Sequence, residues 1–311
     1  MEPSWRASIA HMTRTGVALV VALLIGATAA RAQELEPRSY ANTPVGLNFL
    51  ILGYAYTTGD VSLDTSLPIE DGKVTTHSAL LAYARSFGVW GRSGKLDLIL
   101  PYGWLSGTTK VAGRSVATDV SGLGDPQIRL SYLFYGAPAL TLQEFAGYEP
   151  DLIIGASLAV RPPLGQYDSS RLVNLGTNRW SFKPEIGISK TFGPVTLELA
   201  PSATFYTDND DFRGRRLQRD PLYAVQGHVI YHTSFGLWTS FDATYFGGGR
   251  TSIEGIEGES QQSVRLGGTL AIPIDRHNSI KISASTGAYA RVGGNFTTAA
   301  IAWQFRWGAG L

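Results

Sequence analysis

Segment after segment of this 311-residue chain alternates apolar with polar residues at a period of two, in runs of about 11–14 residues. Residues 95–105 set Leu96, Leu98, Leu100, Tyr102 and Trp104 on one face, with Asp97 on the other. In 127–135, Ile128, Leu130, Tyr132 and Phe134 oppose Gln127, Arg129 and Ser131. In 180–191, Trp180, Phe182, Ile186 and Ile188 oppose Ser181, Lys183, Glu185 and Ser189. The pattern recurs at 151–161 and 194–206 and in five later segments, the last setting Ile301, Trp303, Phe305 and Trp307 against Ala302, Gln304 and Arg306. Two early segments, 45–57 and 75–87, read as strands whose facing the alternation does not define. The total is twelve strands.

The N-terminus carries an export signal. Two arginines, Arg6 and Arg14, precede the apolar run Val17–Ala30, and Ala30-Arg31-Ala32 forms a small-residue cleavage site. This three-part layout is that of a secretory signal peptide over residues 1–32. A transmembrane helix needs about 20 apolar residues, more than this glycine-interrupted run supplies. Cleavage leaves 23 basic and 24 acidic residues. So even a balance, with 16% charged residues overall, offers no basic patch for nucleic acid. With Cys 0, disulfide scaffolds, cysteine zinc sites and lipoprotein anchoring are excluded together.

A soluble sandwich also alternates, so strand length and connections decide between it and a barrel. Globular strands are mostly about 5–6 residues, whereas these are long enough for a tilted membrane crossing. Segments 58–74, 106–122, 162–178, 207–221 and 247–261 read as long loops, and 88–94, 192–194, 234–236 and 275–278 as short turns. Long loops at one end and tight turns at the other is the layout of an outer-membrane barrel. Segment 136–149 breaks the rule, sitting where a turn belongs and reading as a small helix. Tyr102 with Trp104, Trp180 with Phe182, and Trp303 with Phe305 and Trp307 suit interfacial girdles. The fold expected is an all-β transmembrane antiparallel barrel of twelve strands over 45–307, after a periplasmic segment 33–44, in the outer membrane of a Gram-negative cell.

Three motifs carry a family resemblance: Pro44-Val45-Gly46-Leu47-Asn48-Phe49, Ser121-Gly122-Leu123-Gly124-Asp125-Pro126, and Arg161-Pro162-Pro163-Leu164-Gly165-Gln166-Tyr167-Asp168 followed by Asn174-Leu175-Gly176-Thr177-Asn178-Arg179-Trp180. Over roughly residues 44–307 the chain resembles the outer-membrane family described as "putative MetA-pathway of phenol degradation". The resemblance implies a barrel that takes up aromatic or other small compounds. One departure is the end of the chain, where Trp307 is followed by Gly308-Ala309-Gly310-Leu311 rather than closing on an aromatic.

The alternation projects Asp97, Arg129, Lys183, Glu185, Glu198, Arg265, Lys281, Gln304 and Arg306 inward. Charges of both signs are costly against lipid, so these residues line a wet pore or pair across the lumen and block it. Twelve strands lie between the side-chain-filled eight and the open sixteen, and either outcome fits. His228 and His232 stand four apart, which on a strand separates them by about 13 Å, so wall histidines suit them better than zinc. Asp208-Asn209-Asp210-Asp211 is oxygen-rich, but Arg213, Arg215, Arg216 and Arg219 follow, so mutual neutralisation is the plainer reading than calcium. The glycines around Ser121–Gly124 lack the Lys-Ser/Thr of a phosphate loop and read as turn glycines. A lipid-modifying barrel enzyme would need a Ser/His pair facing lipid, whereas His228, with Ser240 near it, reads as lumenal. The expectation is a passive channel, without cofactor or metal, for small apolar or aromatic molecules; the alternatives are a plugged structural barrel and, less favoured, the lipid-modifying enzyme.

Overall fold

The computed structural model describes residues 36–311 apart from 62–68, 112–113, 172 and 293–294. The leader expected over 1–32 lies outside the described residues. Twelve strands form the wall: β1 (Leu47–Val61), β2 (Ile69–Val89), β3 (Arg92–Val111), β5 (Gln127–Tyr135), β6 (Leu152–Arg161), β7 (Ser181–Phe192), β8 (Val195–Tyr206), β11 (Leu222–His232), β12 (Trp238–Gly248), β15 (Gln261–Pro273), β16 (Asn278–Val292) and β17 (Phe296–Gly308). Every neighbour pair is antiparallel, and the last strand closes on the first, from Leu47↔Gly308 to Gly59↔Phe296. Closure leaves the wall without an edge, as lipid demands of a β-structure. No helix among the described residues is long and apolar enough to cross a membrane.

The polarity of the wall is inverted relative to a soluble sheet. Leu98, Leu130, Ile186 and Phe241 point outward at 40–58% exposure, while Asp97, Arg129, Glu185, Glu198 and Arg265 are buried inside. Strands β1 and β2, whose facing the alternation leaves open, put Leu52, Tyr54, Tyr56 and Leu81 outward, with Gly53, Ala55, Ala82 and Ala84 inside. Small apolar residues among the inner positions blur the polarity contrast there. Trp303, Phe305 and Trp307 stack in series at 6.1 and 5.6 Å at the short-turn rim. Tyr102 with Trp104 and Trp180 with Phe182 lie toward the other end of their strands.

At the short-turn end, β2 and β3 join through Trp90-Gly91, both at positive φ, the geometry of a tight hairpin whose twist matches its strands. Segment 136–149 contains the single helical turn α1 (Leu142–Phe145), started by a capping box in which Thr141 and Glu144 satisfy each other's backbone N–H. At the opposite end the long connections are more ordered than loops. Strands β2 and β3 run beyond the wall, and β4 (Arg114–Leu123) pairs with the extended β3. Segments 207–221 and 247–261 build a second, four-stranded sheet from β9 (Asn209–Phe212), β10 (Arg215–Arg219), β13 (Thr251–Ile253) and β14 (Ile256–Glu257). Its core is Phe212, Leu217 and Ile253. Arg216 pairs there with Asp208, and that contact raises the guanidinium above its ordinary range.

The facing yields a direct test. Leu98→Arg places a charge on the lipid side and should lower folding stability in bilayers by about 2–4 kcal/mol near the midplane, whereas Ser283→Arg, which places the same side chain on the lumenal side, should cost well under that. Equal losses for the two variants in denaturant titrations would contradict this register.

Candidate functional site

The lumen is built around ion pairs set by strand register. Asp97 and Arg129 are directly opposed on β3 and β5, and Arg129 Nε donates to Asp97 Oδ2 at 3.1 Å. Lys95 stands 3.5 Å from the same carboxylate. On β7, Lys183 and Glu185 follow each other on the inner face at 3.0 Å. His228 on β11 is flanked in register by Glu198 of β8 and Asp242 of β12, and its Nδ1 lies 2.7 Å from Asp242 Oδ1. Ser240 and Thr269 donate to the other oxygen, Asp242 Oδ2, at 3.0 and 3.3 Å. Ser240 therefore bonds the carboxylate rather than His228, so the three lack the nucleophile–base–acid order of a hydrolase.

Into this polar half folds the segment before β1. Glu36 pairs with Arg129, the Arg38 N–H donates to Glu198 Oε2 at 2.8 Å, and the Tyr40 hydroxyl donates to Glu185 Oε1 at 3.0 Å. The Arg38 guanidinium sits 5.3 Å over the Trp238 ring. Tyr40 is 1% exposed, packed with Leu133, Ala137, Ile153 and Ala200. Its ring lies on Gly155 and Gly187, paired across β6 and β7, and a Cβ added at Gly187 would come within 2.0 Å of it. Asn42 donates to the Pro138 carbonyl at 3.1 Å, and Val45 N–H to Leu140 O at 2.8 Å, fixing the chain where it crosses the rim. Residues 36–46 thus occupy the short-turn half of the lumen.

Beyond the segment the lumen opens into two cavities, of about 100 and 310 Å³, which share Gln127, Arg161 and Ser181 in their linings. Arg129 and Lys183 face the smaller, Arg265 and Lys281 the larger. The larger also has apolar walls from Leu80, Ile99, Pro101 and Leu175. Asp97, Glu185 and Glu198 are buried with their pairs and line neither cavity; Gln304 is half-buried, and Arg306 is engaged at the rim, its Nε donating to the Arg276 carbonyl at 2.7 Å.

The motifs around 121–126 and 161–180 meet at the opposite mouth. Asp125 accepts from Gly165 N–H at 3.0 Å, Thr177 N–H at 2.9 Å and the Thr177 hydroxyl at 2.7 Å. A Cβ at Gly165 would stand 2.7 Å from the Asp125 nitrogen, so only glycine fits there. This folds the loop inward and lays Leu175 over Gly103. Tyr167 then donates to Asp211 O at 2.8 Å, tying the loop to the four-stranded sheet.

The sequence pattern does not single out Glu36, Arg38, Tyr40 or Asp242. The available signal was the pair of mid-strand glycines, Gly155 and Gly187, on faces otherwise filled by side chains; such glycines mark close approach of another group.

Closed wall, outward apolar belt and polar lumen define the class: an outer-membrane β-barrel. Within that class the chain belongs to the family described as "Putative MetA-pathway of phenol degradation", whose model matches residues 54–305. In structure it is similar to an outer membrane channel from Pseudomonas putida F1, at 20% identity and TM-score 0.75, covering 88% of this chain and 100% of that one. More distant are the KdgM porin in complex with disordered oligogalacturonate (9% identity, TM-score 0.44, 82% and 98% covered) and the transport unit of the autotransporter AIDA-I from Escherichia coli (11%, 0.47, 90% and 94%). No curated protein sequence matches the chain.

The Tyr40 niche can be tested because the chain has Cys 0, so a single Ser39→Cys serves as a reporter. Adding Gly187→Val displaces the Tyr40 ring, removing about 2 kcal/mol of packing and hydrogen bonding. Thiol labelling of Cys at 39 in folded protein should accelerate by roughly thirtyfold. An unchanged rate would show that the niche does not hold the segment.

Proposed function

We propose that this barrel is an outer-membrane channel that passes small, largely apolar or aromatic molecules without energy coupling. The observation that carries the reading is the larger cavity: about 310 Å³ inside a closed wall, with Leu80, Ile99, Pro101 and Leu175 as apolar surface among polar groups. A pocket of that size and mixture suits a one-ring molecule, with a few polar groups to orient it. Membership of a family described by phenol degradation supports the aromatic preference. The short turns, both chain ends of the barrel and the segment 36–46 belong to the periplasmic side in this reading, and the four-stranded sheet to the cell surface.

A second reading has its own observation. Residues 36–46 fill the short-turn half of the lumen, and a segment held there permanently would make the barrel a closed, structural one. Flux separates the two. Liposomes containing the purified protein should swell in isotonic phenol-sized neutral solutes faster than in disaccharides. Correctly folded protein that passes neither solutes nor ions supports the structural barrel and overturns the channel.

A further inference from the structure

The open part of the lumen carries a charge bias that the chain as a whole lacks. Among the described residues lining the two cavities, six are basic (Arg129, Arg161, Lys183, Arg219, Arg265 and Lys281) and two acidic, Glu36 and Asp125. Both acids are committed. Glu36 pairs with Arg129, and Asp125 accepts three hydrogen bonds from the 162–178 loop. The other lumenal carboxylates, Asp97, Glu185, Glu198 and Asp242, are buried in the half that the N-terminal segment covers.

Arg129 is balanced by Asp97 and Glu36, and Lys183 by Glu185, so the bias rests on the three other guanidiniums, which are held by neutral groups. Arg161 Nε donates to the Gln127 side-chain oxygen at 2.7 Å. Arg219 lies 4.8 Å over the Tyr206 ring. Arg265 is 2% exposed; its Nη2 donates to Ser285 Oγ at 2.7 Å, its Cζ stands 3.7 Å over Phe296, and its Nε and Nη1 have no partner. Amide, hydroxyl and ring fix where these side chains point without cancelling their charge. A buried guanidinium with unused donors is costly, and a carboxylate is the group whose two oxygens match its fork. Low-dielectric walls around the cavity focus the positive potential along its length.

We propose that the larger cavity is a binding station for small carboxylates with an apolar or aromatic body, with Arg161 and Arg265 meeting the carboxylate and the Leu80–Ile99–Pro101–Leu175 wall taking the body. Arg219 on the neighbouring cavity draws the anion inward from the four-stranded sheet. This deepens the channel reading by naming the charge of the solute, and it rests on that reading for transport but not for binding.

The test compares three one-ring probes of nearly equal size: benzoate, benzamide and benzylammonium. Binding to folded protein in detergent is measured by calorimetry, and passage by liposome swelling. Benzoate should bind more tightly than benzamide, and benzylammonium least. Arg161→Gln and Arg265→Gln should each weaken benzoate by roughly tenfold, the order of one charge-assisted hydrogen bond. Retention of the heat-modifiable compact band on gels shows that each variant has folded. In planar bilayers the wild-type barrel should favour chloride over potassium, and the double variant should lose that preference. Equal binding of the three probes, or none, overturns the carboxylate station even if all three pass. Tight benzoate binding without passage of any probe upholds the station and removes the channel.

Discussion

Lipid offers no partner to a backbone N–H or C=O, so the strands of this wall must pair every such group among themselves. A strand in hydrocarbon has no water to satisfy its N–H and C=O groups, so the sheet must end where it began. The β1–β17 ladder does this, and it determines everything enclosed. With the wall closed, side chains alternate strictly between lipid and lumen, so each register pair becomes a lumenal contact. Asp97 meets Arg129, and His228 stands between Glu198 and Asp242, because ladder pairing sets them opposite one another.

The lumen is divided into two unlike halves. Beside β5–β12 and the adjoining start of β3 it holds the buried carboxylates and their pairs, and the segment 36–46 lies on them through Glu36, Arg38 and Tyr40. Beside β1, β2, the far part of β3 and β15–β17 many inner residues are small, among them Gly53, Ala55, Gly103, Ala300 and Ala302, and space is left open there. Buried pairs of this kind contribute little net stability, since desolvation offsets attraction. Removing one partner is far more damaging than having neither, which makes the pairs effective at placing the segment in one position.

The sequence discloses the wall well and the interior poorly. Strands such as 127–135 and 180–191 are legible because lipid on one side and water or ions on the other impose maximum polarity contrast at period two. Strands β1 and β2 are less so, because Gly53, Ala55, Ala82 and Ala84 make their inner face apolar as well. Extensions beyond the wall, such as Thr58–Val61 and most of β4, read as loops because glycines and polar residues interrupt any apolar alternation there. The four-stranded sheet was hidden by brevity: strands of two to five residues carry no measurable period. The lumenal segment has no periodicity at all. Its place depends on partners more than ninety residues away in sequence, Arg129, Glu185 and Glu198, which no local pattern contains.

As a channel, the barrel must carry small solutes past the N-terminal segment through the open half of the lumen. Single-channel recording on protein reconstituted at one molecule per bilayer tests it most directly, with neutral polymers of graded size added to gauge the bore. An open lumen of this size should give small, discrete ion currents that only the smallest polymers reduce from within. A folded, inserted barrel that stays electrically silent would contradict it.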